Sequence, residues 1–492
     1  MLTRRQFLLA GGILGGLAGC GRRLSPAGGT RLNDVQSQLN GTRVDRVVNA
    51  DSIDALRAAV RAAKAHGRSV SIAGGRHAMG GQQFGTDAIH VNATPLNRVL
   101  RFDRDRGQIE VEAGMQWPEL IDYLWRVQTG AARPWAIAQK QTGADRLSIG
   151  GALSANVHGR GLTFKPIIQD VEAFTLVDAS GDVHTCSRRE NPELFRLAIG
   201  GYGLVGLIAS VTLRLRPRQK IERVVEVIDL DAAPAAFDSR IRAGFAYGDF
   251  QYATDATSAD FLHRGVFSCY RPIEDSSPMP APRELSADDW RRLLYLSHAN
   301  KKRAFAEYAA YYLSTTGQRY WSDTHQLSLY IDNYHDALDR QLGATAPATE
   351  MITEIYVPRA ALTRFIEDVR TGFGEHRASV IYGTIRLIER DDESFLAWAR
   401  QPWACVIFNV HVVHTPEGIA RATDAFRQLI DFALRSGGSY YLTYHRWATR
   451  RQIEACYPQF VEFLRLKRKY DPEERFQSDW YRHHRTMFAD VL

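Results

Sequence analysis

The chain has 492 residues, 45% of them hydrophobic and 24% charged, with a formal net charge of +7. That length buries a large core and predicts two or three domains of ordinary globular composition. Basic residues are dispersed, with no zinc-finger spacing and no basic run long enough for a nucleic-acid tail, so no nucleic-acid partner is expected.

Thr3-Arg4-Arg5-Gln6-Phe7-Leu8-Leu9, with the small apolar run that follows, fits a twin-arginine export signal, and Leu17-Ala18-Gly19-Cys20 fits a bacterial lipobox. The expected reading is a signal peptide over residues 1–19, removed before Cys20, whose thiol takes lipid. The protein is then held on the outer face of the cytoplasmic membrane or in the periplasm. A plain cleaved signal and an uncleaved anchor are the alternatives, although Phe7 to Gly19 is short for a span. The twin-arginine route generally carries folded proteins, often with a cofactor inserted, so the signal supports a cofactor independently. Cys186, Cys269, Cys405 and Cys456 are far apart and form no CxxC, which argues against zinc and thioredoxin-like sites and leaves disulfides and buried thiols both open.

Residues 20–42, rich in Gly, Ser and Asn, read as a tether. Residues 51–66 have helical apolar spacing, with Ser52 as N-cap and Gly67 as stop. A strand over 69–73 leads into the glycine loop Gly74-Gly75-Arg76-His77-Ala78-Met79-Gly80-Gly81-Gln82, whose successive N–H groups suit an anion such as a diphosphate. Strands over 88–92 and 108–113 and a helix over 117–127 follow, an α/β alternation. A second small-residue region, 147–161, implies close backbone approach to a ligand or to other backbone. Residues 171–178 and 183–185 read as a hairpin, 191–199 as a short helix and 207–215 as a strand. Gly201-x-Gly203-x-x-Gly206 matches the dinucleotide fingerprint, but a helix precedes it and a strand follows, the reverse of a Rossmann unit.

From about residue 219 long strand-like runs (221–230, 350–358, 380–388, 405–413) mix with amphipathic helices (360–371, 416–434), a separate α+β region. Tyr308, Tyr311, Tyr312, Tyr320 and Trp321 read as core or as the lining of a lid. No internal repeat is evident. The tail, 453–482, is helical with a turn at Asp471-Pro472.

Gly74-Gly75-Arg76-His77-Ala78 resembles the diphosphate loop of the FAD-linked oxidases of the vanillyl-alcohol-oxidase type, in which many members attach FAD through the histidine of Gly-x-x-His-Ser; Ala78 stands where serine is usual. Ile149-Gly150-Gly151-Ala152 with His158-Gly159 resembles the segment that passes along the flavin, and Asn191-Pro192-Glu193-Leu194-Phe195 with Gly200 to Ile208 resembles the end of the flavin domain. Within the family the middle segment is similar to decaprenylphosphoryl-ribose oxidase and to the sugar-alcohol and aldonolactone oxidases, the tail to the ribose oxidase, and the loop to cytokinin dehydrogenase and alditol oxidase. The ribose oxidase has a lysine–aspartate pair where this chain has Tyr444-His445, which disfavours the same substrate.

The resemblance implies an α+β fold: a two-subdomain α/β FAD-binding domain over 43–218, an α+β substrate cap over 219–437, and a return to the flavin domain over 438–492. It implies FAD, bonded to His77, with Ala73, Gly74, Gly75, Arg76, Ala78, Met79, Gly80 and Gln82 around the diphosphate. Gly114, Gly150, Gly151, Ser154, His158, Gly159, Gly206 and Ile208 follow along the cofactor.

Flavin oxidation of an alcohol needs a base for the hydroxyl proton and the flavin N5 for hydride. His158, Tyr444 and His445 are the catalytic candidates; neighbours on a strand face opposite sides, so only one of Tyr444 and His445 points at the flavin. Arg386 is a candidate for binding substrate, or for a surface ion pair. His411, His414, His483 and His484 lack clustered carboxylates or cysteines in sequence, so no metal is expected. The expected function is an exported FAD-dependent oxidoreductase acting on a hydroxyl group of a sugar, polyol or related alcohol, with oxygen or a membrane or periplasmic carrier as acceptor. The alternatives are a flavin dehydrogenase of a lactone or amine that feeds a membrane carrier, and an inactive lipoprotein binding module.

Overall fold

A computed structural model describes residues 29–492, except 329, 330, 332 and 377; the export signal and Cys20 lie outside the described residues. No helix among the described residues is long and apolar enough to cross a membrane. The chain enters through an antiparallel pair, β1 (Thr30–Leu32) and β2 (Thr42–Val44). Within residues 29–42 this corrects the expected tether, because the Asp34 carboxylate accepts the N–H groups of Gln36 and Gln38 and folds the segment into a turn; residues 20–28 lie outside the described residues. That turn is fastened to the body: Asn40 Nδ2 donates to Met79 O at 2.7 Å and Thr349 Oγ1 to Ser37 O at 2.6 Å.

β3 (Arg46–Asn49), α1 (Ile53–Ala65), β4 (Val70–Ala73) and β5 (Ile89–Asn92) build a parallel sheet in the order β3-β5-β4. Ser52 caps α1 by accepting from Ala55 N, and Leu56, Ala59, Val60 and Ala63 form its buried stripe at helical spacing. β6 (Val99–Asp103), β7 (Gln108–Glu112), α2 (Trp117–Val127), β8 (Trp135–Ala136), α3 (Ile149–Ala155), β9 (Val171–Val177), β10 (Val183–Ser187), α4 (Pro192–Ala198) and β11 (Leu207–Arg214) follow. Five of these strands form an antiparallel sheet, β10-β9-β11-β7-β6, and β12 (Arg216–Pro217) pairs with β8. These two sheets are the two subdomains expected from the sequence.

The second region comprises β13 (Lys220–Asp229), α5 (Ala233–Arg242), β14 (Tyr247–Tyr252), β15 (Arg264–Ile273), α6 (Ala287–Ala299), α7 (Lys301–Ser314), β16 (Arg319–Trp321), α8 (His335–Leu342), β17 (Ala348–Pro358), α9 (Leu362–His376), β18 (Val380–Ile388), β19 (Trp403–Val413), α10 (Pro416–Arg435) and β20 (Ser439–Tyr440). Its eight-stranded sheet has the order β16-β13-β15-β14-β18-β19-β17-β20. A repeat invisible in the sequence appears here. β13-α5-β14-β15 and β17-α9-β18-β19 are the same β-α-β-β unit, joined edge to edge where β14 meets β18. α9 and α10 pack on β17, and the α10 contribution to the core is Ala422, Ala425, Phe426, Leu429, Ile430 and Ala433. The other face of the sheet is polar: Asp249, Gln251, Arg386, Glu350 and Glu354 are all buried there or at its rim.

After β20 extends the sheet beside β17, the tail turns back through α11 (Arg450–Cys456), α12 (Phe460–Tyr470) and α13 (Asp479–Met487). It reaches the parallel sheet where Val70 N donates to Arg475 O at 2.7 Å and Gln477 N to Val70 O at 2.9 Å. The buried Lys467–Asp471 pair, 2.6 Å apart, holds this turn, since the Asp471 carboxylate also accepts from the Arg475 and Phe476 N–H groups. Cys186, Cys269, Cys405 and Cys456 are buried free thiols, not disulfides.

Candidate flavin and substrate site

β4 ends at Ala73, and the loop after it bends through left-handed Arg76 (φ 58°) and Gly81 (φ 80°). Gly74 and Gly75 are required by close packing: a Cβ on the first would stand 1.9 Å from Ser148 Oγ and on the second 2.2 Å from Arg146 O. The loop is thereby laid against the start of α3, where Ser148 Oγ caps the Gly151 N–H at 3.3 Å. Gly151 is exposed, and Gly74, Gly75, His77, Ala78 and Ser154 are partly exposed. The charges beside His77 are Arg76 and Arg146, both cationic, so the donor set suits a diphosphate. Burial, with those two arginines, lowers the His77 pKa to about 4, which leaves a neutral imidazole at neutral pH.

Several residues expected at the cofactor are instead packed into the protein. Gly114, Gly150, Gly159 and Gly206 are buried, and a Cβ on them would meet Ala93 O, Ala113, Lys140 O and Leu176 respectively. Their small size serves close contact within the chain. Ala73, Met79 and Ile208 are 5%, 3% and 5% exposed and belong to the core, so only their backbone is available to a ligand. Gly80 is buried; its N–H donates to Gln82 Oε1 at 3.1 Å. Gln82 Nε2 in turn donates to the carbonyls of Leu442 and Thr443 at 2.9 and 3.0 Å, tying the histidine loop to the returning tail.

That junction faces the polar side of the cap sheet. Glu354 of β17, 3% exposed, lies at its centre. His158 Nε2 donates to Glu354 Oε2 at 2.8 Å and Tyr444 Oη to Oε1 at 2.8 Å. Tyr356 Oη donates to Oε2 at 3.0 Å, and Cys405 Sγ lies 3.6 Å from the same oxygen. Burial opposes ionisation of Glu354, but His158, Tyr444 and the nearby Arg386 guanidinium hold its pKa at about 2. Arg386 is 6% exposed and bonds Thr142 Oγ1, so it belongs to this interior and not to a surface pair. Lys140 is fully buried, with Nζ 2.7 Å from Asp145 Oδ1. Burial lowers its pKa despite that partner.

Both nitrogens of His158 face oxygens, Gly159 O at 3.0 Å and Glu354 Oε2 at 2.8 Å. His158, Glu354 and Cys405 present metal-ligand atoms within 4.8 Å of one another. Burial pushes the Cys405 thiol well above its ordinary pKa, and only a thiolate ligates, so the set reads as a hydrogen-bonded carboxylate centre. His445 is not part of it. It points to the helical face, 3.3 Å from Thr353 Oγ1, among Phe426, Tyr440 and Trp447, and burial lowers its pKa to about 3. This corrects its candidacy as an acid–base group and leaves Tyr444 as the member of the pair at the carboxylate. His484 packs on Trp480 and Phe460 in the tail, with His483 beside it, and His414 Nε2 lies 2.8 Å from Thr349 Oγ1. Sequence reasoning missed Glu354 and Lys140. The available signal was acidic residues at even positions of an otherwise strand-forming run, Glu350 and Glu354.

Residues 44–187 match the FAD binding domain family. The L-gulono-1,4-lactone dehydrogenase of Mycobacterium tuberculosis is 25% identical over 412 residues, 81% of this chain and 86% of the relative. The L-gulonolactone oxidase of Mus musculus is 27% identical over 167 residues, 34% of this chain and 36% of the relative. The D-arabinono-1,4-lactone oxidase of Yarrowia lipolytica is 28% identical over 192 residues, 38% and 35% of the two chains. Together with the loop and the two-sheet domain, these matches identify an FAD-dependent oxidoreductase. The chain resembles the aldonolactone oxidases of the FAD-linked oxidase family, as its glycine loops had indicated.

Proposed function

We propose that this chain oxidises a hydroxyl group of an aldonolactone, with FAD bonded to His77 and the Glu354 centre handling the proton. The observation that carries the reading is Glu354, a buried ionised carboxylate gripped by His158 and Tyr444 where the loop, the tail and the cap sheet meet. FAD, when bound, supplies the two-electron acceptor. Glu354, ionised down to about pH 2, orients His158 and Tyr444, and these two are the groups left to take the hydroxyl proton. Arg386, whose Nε has no partner within the protein, is the cation available to the ring and carbonyl oxygens of a lactone. The relatives named above favour a lactone over the sugar or polyol first expected.

The deciding experiment is an anaerobic screen of the purified protein with L-gulono-1,4-lactone, D-arabinono-1,4-lactone and simple polyols, read by bleaching of the flavin. Lactones bleach it, and Glu354→Gln slows the response by roughly 10²–10⁴. Bleaching by polyols alone overturns the lactone assignment, and a colourless protein favours a binding module.

The neutral His77 imidazole supports covalent attachment, since an unprotonated nitrogen is needed to bond the flavin 8α carbon. His77 would hold the flavin through that carbon, and the electron chemistry of the attachment would be the flavin's own. Acid precipitation tests it: colour stays with wild-type protein and leaves the pellet in His77→Ala, whereas colour lost from both makes His77 a loop residue only. The same proposal includes twin-arginine export and a lipid on Cys20, supported by the motifs at Arg4-Arg5 and Leu17-Ala18-Gly19-Cys20. Mass spectrometry of the membrane fraction shows a lipidated Cys20 as the first residue, and a free Cys20 thiol refutes it. Oxygen uptake compared with dye reduction separates oxidase from dehydrogenase.

A further inference from the structure

Glu350 lies on β17 four residues before Glu354, roughly 13 Å away along the same face of the strand. It is completely buried, and its ring of neighbours comes from three separate parts of the cap. His298 of α6 places Nε2 3.0 Å from Oε1, and His411, its cross-strand partner on β19, places Nδ1 3.6 Å from the same oxygen. His335, opening α8, places Nδ1 3.0 Å from Oε2, which also accepts from Tyr334 Oη.

Two features of this cluster point to a cation. First, His298 Nδ1 lies 2.9 Å from Leu294 O, where it can only donate. Nε2 is thereby aimed at Glu350 Oε1, 3.0 Å away, as His158 Nε2 is at Glu354. A histidine whose second nitrogen is fixed by a backbone carbonyl is the usual arrangement at a metal. Second, the Nδ1 atoms of His335 and His411 are buried and both are directed at the same carboxylate, 3.0 Å from Oε2 and 3.6 Å from Oε1; the His335 side chain is only 6% exposed. Bonds of about 2.0–2.1 Å in a tetrahedral zinc site set its ligand atoms about 3.3 Å apart. The 3.0 and 3.6 Å separations bracket that edge, and the donor atoms of His298, Glu350 and His411 all lie within 4.8 Å of one another.

We infer that His298 Nε2, His411 Nδ1 and Glu350 Oε1 form a binding site for a divalent transition cation, with Zn²⁺ the best fit to two imidazoles and a carboxylate. His335 and Tyr334 brace the second carboxylate oxygen. The cation ties α6 to β17 and β19 near one edge of the cap sheet, and His335 ties α8 to the same carboxylate; both helices lie on one excursion of the chain between β15 and β17. This site is independent of the flavin and of the substrate assignment.

The test uses full-length, untagged protein stripped with chelator and titrated with ZnCl2, with bound metal counted by plasma mass spectrometry. One equivalent of Zn²⁺ binds per chain. His298→Gln and His411→Gln each weaken binding on the order of 100-fold, and His335→Gln roughly 10-fold. His184→Gln, whose ring pairs with Asp178, leaves binding unchanged. Flavin absorbance reports folding of each variant. Should the variants not fold, the wild-type chain still decides, because Zn²⁺ then slows tryptic cleavage in residues 274–286, the segment leading into α6. Failure to bind Zn²⁺ at micromolar concentration, binding that survives the His298→Gln/His411→Gln double variant, or cleavage indifferent to Zn²⁺ overturns the inference.

Discussion

Glu354 and Glu350 share a strand and a face, yet their surroundings differ in kind. Glu354 receives one histidine, two tyrosine hydroxyls and a thiol, and every flavin-domain contact comes from the junction of loop, α3 segment and tail. Glu350 receives three histidines and a tyrosine, all from the cap itself. Burial opposes ionisation of both, and their partners hold both well below the ordinary carboxylate pKa. The same residue on the same strand is thus a chemical group where two domains meet and an anchoring group where one domain closes on itself. What separates them is the origin of their partners.

The sharpest way to break the comparison is to remove each charge while keeping the shape. Glu354→Gln is expected to lower kcat by roughly 10²–10⁴, the range for disabled acid–base catalysis once His158 and Tyr444 lose the charge that orients them, with flavin content unchanged. Steady-state kinetics with the bleaching substrate measure it, and a kcat near wild type would move the base elsewhere. Glu350→Gln leaves three histidines around a neutral amide, so its cost falls on stability, about 3–5 kcal/mol if it behaves like other broken buried pairs. Urea unfolding followed by cap tryptophan fluorescence reads this, and turnover of the folded fraction stays close to wild type.

The flavin half was legible because its constraints are local. Gly74 and Gly75 sit together in one readable loop, although the Ser148 side chain and the Arg146 carbonyl they pack against lie far along the chain, and the Ser52 cap and α1 stripe lie within one helix. His158 was visible in its motif, but the carboxylate it serves lies 196 positions away on another sheet. Periodicity marked residues 350–358 as a strand without telling which of its charges pointed inward, or that His298, 52 positions earlier, would meet Glu350. The β-α-β-β repeat escaped for a related reason: the two copies share an order of elements and strand pairing, not residues. His445 was favoured by the ordinary pKa of histidine, which burial among aromatic rings removes.

Tyr444 and Cys405 sharpen the comparison at smaller cost. Tyr444→Phe deletes a donor to an ionised acceptor, and such bonds contribute about 1.5–3 kcal/mol. The expected result is a fall in kcat/KM of roughly 10- to 100-fold with FAD retained. Burial beside Glu354 keeps the Cys405 thiol protonated, so native alkylation leaves it unmodified while the unfolded chain reacts. Early labelling of Cys405 would show that the Glu354 centre is open to solvent.

The smallest effect at neutral pH belongs to His445, and it separates acid lability from catalysis. Its pKa is about 3 in the folded chain, against about 6.5 for an exposed histidine. Between those values the unfolded chain binds the proton and the folded chain does not, so this residue's contribution to stability is intact above pH 6.5 and falls as the pH drops toward 3. From pH 7 to pH 5 the loss attributable to it is about 2 kcal/mol. Glu354 behaves oppositely in origin and lower in range: its depressed pKa gives stability that is complete above the ordinary carboxylate pKa and is lost only as the pH falls toward 2. His445→Phe keeps an aromatic ring against Phe426, Tyr440 and Trp447 while removing the titration. Urea unfolding at pH 7, 6 and 5 should therefore show a shallower decline in the variant than in wild type, with kcat at pH 7 unaltered. An equal decline in both would mean that His445 is protonated in the folded protein. A large fall in kcat at pH 7 would return it to the active site.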